Sequence, residues 1–249
     1  PQCFEHIRPE CVPMMPDDCF KGCSPEHIEH FSDKCCEQLR ADQIHEIPYT
    51  SCGGFGEEIF DHLPDHCCGG FEAGHIEHLP EECFELLKAE QMQNLSGSCC
   101  EGLQPEQIDR MPADCCDGFQ PNHIDFLSPD CCQGFRPDQI ANMDSDCFEQ
   151  FRPSQFAELP IDCLSGISAD QFEHIDPICC EIISPECFEH LPGASCEGFH
   201  PGHIHHLPHE CFEEFKPEHI ENLPSHACQG FHAEDLRHLP SDSIQAFNA

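Results

Sequence analysis

Two residue types that can cross-link chains or ligate metals, cysteine and histidine, recur at fixed intervals in this 249-residue chain, which holds 24 Cys and 20 His. Cysteine returns every 16 residues at Cys67, Cys83, Cys99, Cys115, Cys131, Cys147, Cys163 and Cys179. A second series runs one residue out of step: Cys36, Cys52, Cys68, Cys100, Cys116, Cys132, Cys180, Cys196 and Cys228. Thiols so frequent are held as disulfides in oxidising compartments or bind metal as thiolates. Cys52, Cys196 and Cys228 lack a Cys directly before them, yet each has one 17 residues earlier, while the positions 17 after Ser195 and Ala227 are Phe212 and Ile244. This co-occurrence predicts the bonds Cys19–Cys36, Cys35–Cys52, Cys83–Cys100, Cys99–Cys116, Cys115–Cys132, Cys163–Cys180, Cys179–Cys196 and Cys211–Cys228. It leaves Cys3, Cys11, Cys23, Cys67, Cys68, Cys131, Cys147 and Cys187 unassigned. Each closed loop of about 17 residues is worth around 3 kcal/mol in the chain-entropy model. Thiolate metal sites bring Cys two to four residues apart, and only Cys19 and Cys23 approach that spacing.

The histidines form short pairs, His27-Ile-Glu-His30, His75-Ile-Glu-His78 and His203-Ile-His-His206, with two imidazoles one helical turn apart. That spacing can chelate a divalent ion such as Zn or Cu, and the many carboxylates can hold Ca diffusely. Rows of His62, His78, His174, His190, His206 and His238 would also respond to pH near 6. A solvated, charge-tuning surface is the other reading of these residues. For catalysis the chain offers no Gly-rich phosphate loop, no Gly-x-Ser-x-Gly elbow and no His-Glu-x-x-His, and its Cys/His neighbours all occupy repeated positions. It is not expected to be an enzyme. No cofactor is required on this reading.

The charge narrows the partners. With 48 Asp+Glu against 10 Lys+Arg the formal net charge is −38. Nucleic acid and anionic membranes are excluded, because neither can be neutralised by so few cations in so negative a field. No apolar run approaches the roughly 18 to 20 residues that cross a bilayer, so no membrane insertion is expected. A start at Pro1 points to a processed product or a fragment.

The elements that must position these residues follow from one repeat. An eight-residue period, positions a to h, runs from Ile7 to Phe247 without insertion or deletion. Positions a (Ile7, Met15, Cys23, Phe31, and so on to Phe247) and f (Phe4, Val12, Phe20, and so on to Ile244) are apolar throughout, and 19 of the 20 Phe sit there, Phe126 being the exception. These two columns are the expected core, with the other six positions mostly surface. Two kinds of octad alternate, giving a period of 16: one with Pro at b, Cys at e and often Gly at h, as in Leu207-Pro-His-Glu-Cys-Phe-Glu-Glu214, and one with Pro at c and His or Gln at e, as in Phe215-Lys-Pro-Glu-His-Ile-Glu-Asn222. Pro at the first helical position, an acid in the first turn and apolar residues three apart predict one or two turns of α or 3₁₀ helix per octad. Recurrent Pro and a three-then-five apolar spacing argue against a β-solenoid. The expectation is an all-α solenoid spanning 1–249 as a single unit of about 31 octads, with like octads stacked on like. Two or four octads would make a coil; with two, the chain forms about 15 coils of 16 residues and an elongated rod roughly 120 to 150 Å long.

Leu103-Gln-Pro-Glu-Gln-Ile108, Phe135-Arg-Pro-Asp-Gln-Ile140 and Leu127-Ser-Pro-Asp130 resemble the Leu-Thr/Ser-Pro-Glu-Gln-Ile-x-x octapeptide tandem repeats of some large secreted and surface proteins. The resemblance implies a scaffold and specifies no activity; the Cys, His and Phe content departs from it. The resulting expectation is an extracellular, secreted structural protein: a rigid, acidic, disulfide-laced rod or fibre subunit whose partner is another copy of itself, stacked head to tail. The alternative is a metal-binding or storage protein using the His and Cys rows. Asn94-Leu-Ser96 is the candidate glycosylation acceptor.

Overall fold

The computed structural model describes residues 7–247. Among them every regular element is a short helix, fifteen α and fifteen 3₁₀, and there is no strand. Most octads of the two kinds become the two kinds of helix, which at full length cover positions c to h: Asp65–Gly70 is 3₁₀ and Ala73–His78 is α, while Pro9–Met14, Asp33–Cys36, Asp235–Arg237 and Ser241–Ala246 take the other type. The all-helical, regularly repeating fold read from the periodicity is therefore present. In the α octads Pro sits at the first helical position, as in Pro105–Arg110, where its missing N–H has no helical partner to lose. In the 3₁₀ octads Pro stands just before the helix, as Pro64 does at φ −60°, ψ 137°. The chain turns between octads on two extended residues, such as Leu103 (φ −68°, ψ 142°) and Gln104 (φ −110°, ψ 154°). No described residue needs a positive φ to make these corners.

Octads three apart lie on each other, which corrects the expectation of two or four to a coil. Ala73–His78 packs on Tyr49–Gly54 before it and Gly97–Gly102 after it, and Pro105–Arg110 packs on Glu81–Leu86 and Asp130–Gly134. Three octads, 24 residues, thus make one coil. Because octads alternate in kind, an odd number per coil sets α-helix on 3₁₀ helix along most of the chain; Asp33–Cys36 with Ile59–His62 and Pro217–Asn222 with Ser241–Ala246 are α on α. Position h shows why this combination packs. A Cβ at Gly102 would overlap the carbonyl oxygen of Ala73, the first residue of the α-helix 29 positions earlier, and the same holds for Gly70 over Ala41, Gly118 over Ala89 and Gly198 over Ala169. Gly is required here by close approach. Where h is Leu86 or Ile182, that side chain is pushed to 41% or 38% exposure, and the helix beneath, Ile59–His62 or Pro153–Phe156, is a single turn.

The chain forms two compact units, Pro1–Gly134 and Phe135–Ala249, each built in this way. Columns a and f line the interior of both, with Phe60, Phe84, Phe172 and Phe188 fully buried and Phe172 stacked on Phe199 at 4.1 Å between ring centroids. Column e, expected at the surface, is buried with them: Gln43, His75, Cys99, Gln139, His203 and Cys211 are all solvent-excluded. No helix among the described residues is long and apolar enough to cross a membrane.

The close approach at h predicts that Gly102→Ala destabilises the fold by about 1–3 kcal/mol. Gly22→Ala, with nothing within 4 Å of the added carbon, is expected to change stability by less than about 0.5 kcal/mol. Urea unfolding of both variants decides this, and equal effects would refute it.

Candidate functional site

The buried e column is where the chemically capable residues collect, and its geometry is uniform. Corners leave the carbonyl of residue a without a helical donor, and in most of them the e side chain three octads later supplies one, Ile59 and Ala227 being e residues that cannot. Cys99 Sγ donates to Phe71 O at 2.7 Å, Cys163 to Phe135 O at 3.3 Å and Cys211 to Ile183 O at 3.2 Å. Ser51 Oγ donates to Cys23 O at 2.9 Å and Ser195 Oγ to Ile167 O at 2.6 Å. Gln107 Nε2 reaches Leu79 O at 3.0 Å and Gln171 Nε2 reaches Met143 O at 2.7 Å. His75, His123 and His203 donate from Nε2 to Ile47, Leu95 and Ile175 O at 2.8, 2.9 and 2.8 Å. Four residue types perform one task across the same 28-residue separation.

A proline at b restricts which type stands at e. A buried backbone N–H must be paired. In the α octads the b N–H is present, and the e side chain accepts it: Gln104 N donates to Gln107 Oε1 at 3.0 Å, Glu72 N to His75 Nδ1 at 2.9 Å and His232 N to Asp235 Oδ2 at 2.7 Å. Such an e residue must accept and donate at once, which Gln and neutral His do. Where Pro occupies b there is no N–H, and a short donor suffices. All ten b-position prolines are followed by Cys, Ser or Ala at e, never by Gln or His. The backbone N–H can only donate, so Nδ1 of these histidines is unprotonated and the proton sits on Nε2.

The structure places the expected disulfide partners elsewhere than in bonds. All described cysteines are thiols, and none of the pairs 17 residues apart is joined. Residues at that separation lie two octads apart, whereas stacking joins octads three apart, so the e members Cys35, Cys83, Cys99, Cys163, Cys179 and Cys211 face backbone carbonyls instead. Cys19 is exposed, and Cys115 and the f members Cys36, Cys52, Cys100, Cys116, Cys132, Cys180 and Cys196 are buried; Cys228 is half-buried. Burial pushes thiols up, Cys67 to about 11 and Cys52, Cys83, Cys179 and Cys211 to about 12, which keeps them from acting as thiolates at neutral pH.

The candidate chelating histidines separate by position. His75 and His203 have both ring nitrogens engaged with backbone, and His27 accepts from Ser24 N through Nδ1 at 3.0 Å. Their h-position mates turn outward: His78 Nδ1 meets Gly74 O at 2.9 Å, His206 pairs with Glu181 at 2.7 Å, and His30 is exposed. Outward-facing h residues form a surface row with acids 25 positions earlier, Arg110 with Glu85 (2.6 Å), His174 with Glu149 (3.0 Å) and His238 with Glu213 (3.3 Å). Exposed pairs of this kind add little stability each. Two groups converge more tightly, Asp33 with Glu58 and His62, and Asp146 with Glu149 and His174, their ligand atoms within 4.8 Å of one another. The Glu149 hydrogen bond raises His174 above the ordinary imidazole range. Asn94 ends the helix Ala89–Asn94, exposed, with its amide donating to Glu90 O at 2.7 Å.

No protein-family model and no curated protein matches this chain. Its chemistry is therefore read from its own geometry, in which the e column is a hydrogen-bonded interior row.

Burial lowers His75, His123 and His219 below the ordinary imidazole range and His203 to about 4. A depressed histidine contributes stability that is complete above its unfolded value near 6.5 and is lost as pH falls from there to the folded value. His203→Gln, which keeps both hydrogen bonds, is expected to match the parent within about 1 kcal/mol at pH 7. It should gain on the parent by on the order of 3 kcal/mol between pH 6.5 and about 4. His203→Leu orphans His200 N–H and Ile175 O and is expected to cost about 2–3 kcal/mol at pH 7. Urea unfolding across that pH range tests all three, and a Leu variant as stable as the Gln variant would remove the column's proposed role.

Proposed function

We propose that this chain is an extracellular structural protein: an acidic scaffold of stacked octads that associates end to end into a rod or fibre. One observation supports the reading above the rest. Leu236, Ile244 and Phe247 belong to columns a and f but are 45%, 43% and 41% exposed, around a cleft that also includes Cys228 and Phe231. Their column mates from Leu159 to Leu223 are buried under the next octads. The surface that covers such side chains inside the protein is another octad stack, so octads of matching shape and chemistry are what this face fits, and a second copy supplies them. The high negative charge keeps lateral contacts apart by repulsion and leaves apolar faces as the adhesive ones. Cysteine content and the resemblance to octapeptide repeats of secreted proteins support an oxidising, extracellular setting, where column thiols would staple coils together. No catalytic group is invoked.

Sedimentation velocity over a range of concentrations tests this. Association that grows with concentration and with added salt, which screens the repulsion, is the expected result, and Ile244→Glu with Phe247→Glu should abolish it while leaving the far-ultraviolet circular dichroism unchanged. A monomer under all conditions would overturn the proposal.

A second reading, divalent metal binding, draws on the Asp33–Glu58–His62 and Asp146–Glu149–His174 groups. It predicts that Zn stays with the protein through gel filtration at a fixed ratio that drops in His174→Ala; zinc removed by filtration would dismiss it.

A further inference from the structure

The two cysteine columns meet at a separation other than 17. An e side chain sits over the corner that follows the f residue 31 positions earlier. In α octads this is visible as a hydrogen bond: Gln43 Nε2 donates to Val12 O at 2.8 Å, Gln107 Nε2 to Ile76 O at 2.9 Å and Gln171 Nε2 to Ile140 O at 2.9 Å. In 3₁₀ octads the same register sets an e thiol in the neighbourhood of the f thiol. Cys52 and Cys83, Cys68 and Cys99, Cys100 and Cys131, and Cys180 and Cys211 lie within electrostatic reach of each other, all buried. Cys36 and Cys67 stand in the same register.

The sequence carries the matching pattern. Eight f-column cysteines have a residue 31 positions later; at seven it is Cys, the exception being Ala227 after Cys196. Where the f residue is Phe20, Leu164 or Phe212, the residue 31 later is Ser51, Ser195 or Ser243, while Phe84 and Phe148 are followed by Cys115 and Cys179. Serine fills the donor role at e as well as cysteine does, so the hydrogen bond alone does not explain why it never follows an f cysteine. Neighbouring cysteines in one octad are poor competitors, because Cα atoms about 3.8 Å apart lie below the usual disulfide range of about 4.4–6.8 Å.

We propose that Cys36–Cys67, Cys52–Cys83, Cys68–Cys99, Cys100–Cys131 and Cys180–Cys211 are disulfide sites that tie each corner to the octad four places later. The oxidant is a low-molecular-weight disulfide such as oxidised glutathione. One protein thiolate attacks it and releases one glutathione thiol, giving a mixed disulfide; the second protein thiolate attacks that and releases the other. Two protein thiols and one glutathione disulfide become one protein disulfide and two glutathione thiols, which carry away both protons. Burial suppresses the thiolates once the stack has formed, so the exchange belongs to folding, and a reduced, folded chain resists it. The inference deepens the stapled-scaffold reading but does not depend on end-to-end association.

The test is oxidative refolding of the full reduced chain in a glutathione redox buffer, alkylation, and mass mapping of linked peptides without reduction. The five pairs are the expected links, with Cys115, Cys179 and Cys196 alkylated. Links dominated by the 17-residue spacing, or a refolded chain with every thiol alkylated, would overturn the assignment. Cys83→Ser keeps the e-position donor, as Ser51 does, and is expected to release Cys52 alone for alkylation with the other four links intact; scrambling of those four would also overturn it. Sedimentation of the same samples reports association separately, so the bonds can fail while the scaffold reading stands, and the reverse.

Discussion

A carbonyl left over at every corner organises this protein. When the chain leaves one short helix for the next, residue a turns its C=O away from any helical donor, and burying that group unpaired would cost about 1–3 kcal/mol per octad. The donor comes from e, three octads on, and several features follow. Column e is for the most part polar and buried together, with Ile59 and Ala227 the apolar exceptions, its side chains are of a length that spans the gap between coils, and the coils keep one spacing along each unit. The glycines over Ala41, Ala73 and Ala89 allow the closest of these approaches, although Cys179 and Cys211 reach their carbonyls with Ile182 and Glu214 at h.

The two ways of filling e show how local chemistry propagates into the repeat. Proline at b deletes an N–H, and Cys, Ser or Ala then stands at e; where Gln, His or Asp stands at e, its side chain accepts the b N–H, while Ser or Asp at b also occurs with Cys at e, as in Ser96 with Cys99 and Asp176 with Cys179. The alternation of octads is thus a solution to pairing one donor and one acceptor at each corner, carried out with two different residue sets. Histidine takes opposite characters within one helix: His203 is buried, neutral and fixed in one tautomer, while His206, one turn on, sits at the surface against Glu181. Acidification therefore works against the first kind.

Much of this was legible in the residues. The unbroken a and f columns carry the helical repeat and its core, because apolar side chains three and five apart admit few other arrangements. Column e was harder to recognise, since hydropathy counts Gln and His as surface residues. Its signal lay elsewhere, in the absence of Glu, Lys and Arg from e in any octad and in the exclusion of Gln and His after Pro. The number of octads per coil was hidden for a different reason. A sequence period of 16 is compatible with any stacking number, and only the fit of Gly102 over Ala73 or Cys99 under Phe71 selects three. Cysteine spacings of 17 and 31 are equally natural in such a lattice, and the coil discriminates between them.

That alternation by two and stacking by three do not coincide also bears on how such a protein can lengthen. Copying one coil, three octads, would place two octads of the same kind side by side at the junction, and three octads on, α would fall against α. Copying one octad pair preserves the alternation, yet advances the stack by only two-thirds of a coil, so each copy rotates the exposed face by a third of a revolution. Three such copies restore it after two whole coils. A genetic unit of 16 residues and a physical unit of 24 therefore make a ratchet, in which the direction presented by the last face records, modulo three, how many times the unit has been duplicated.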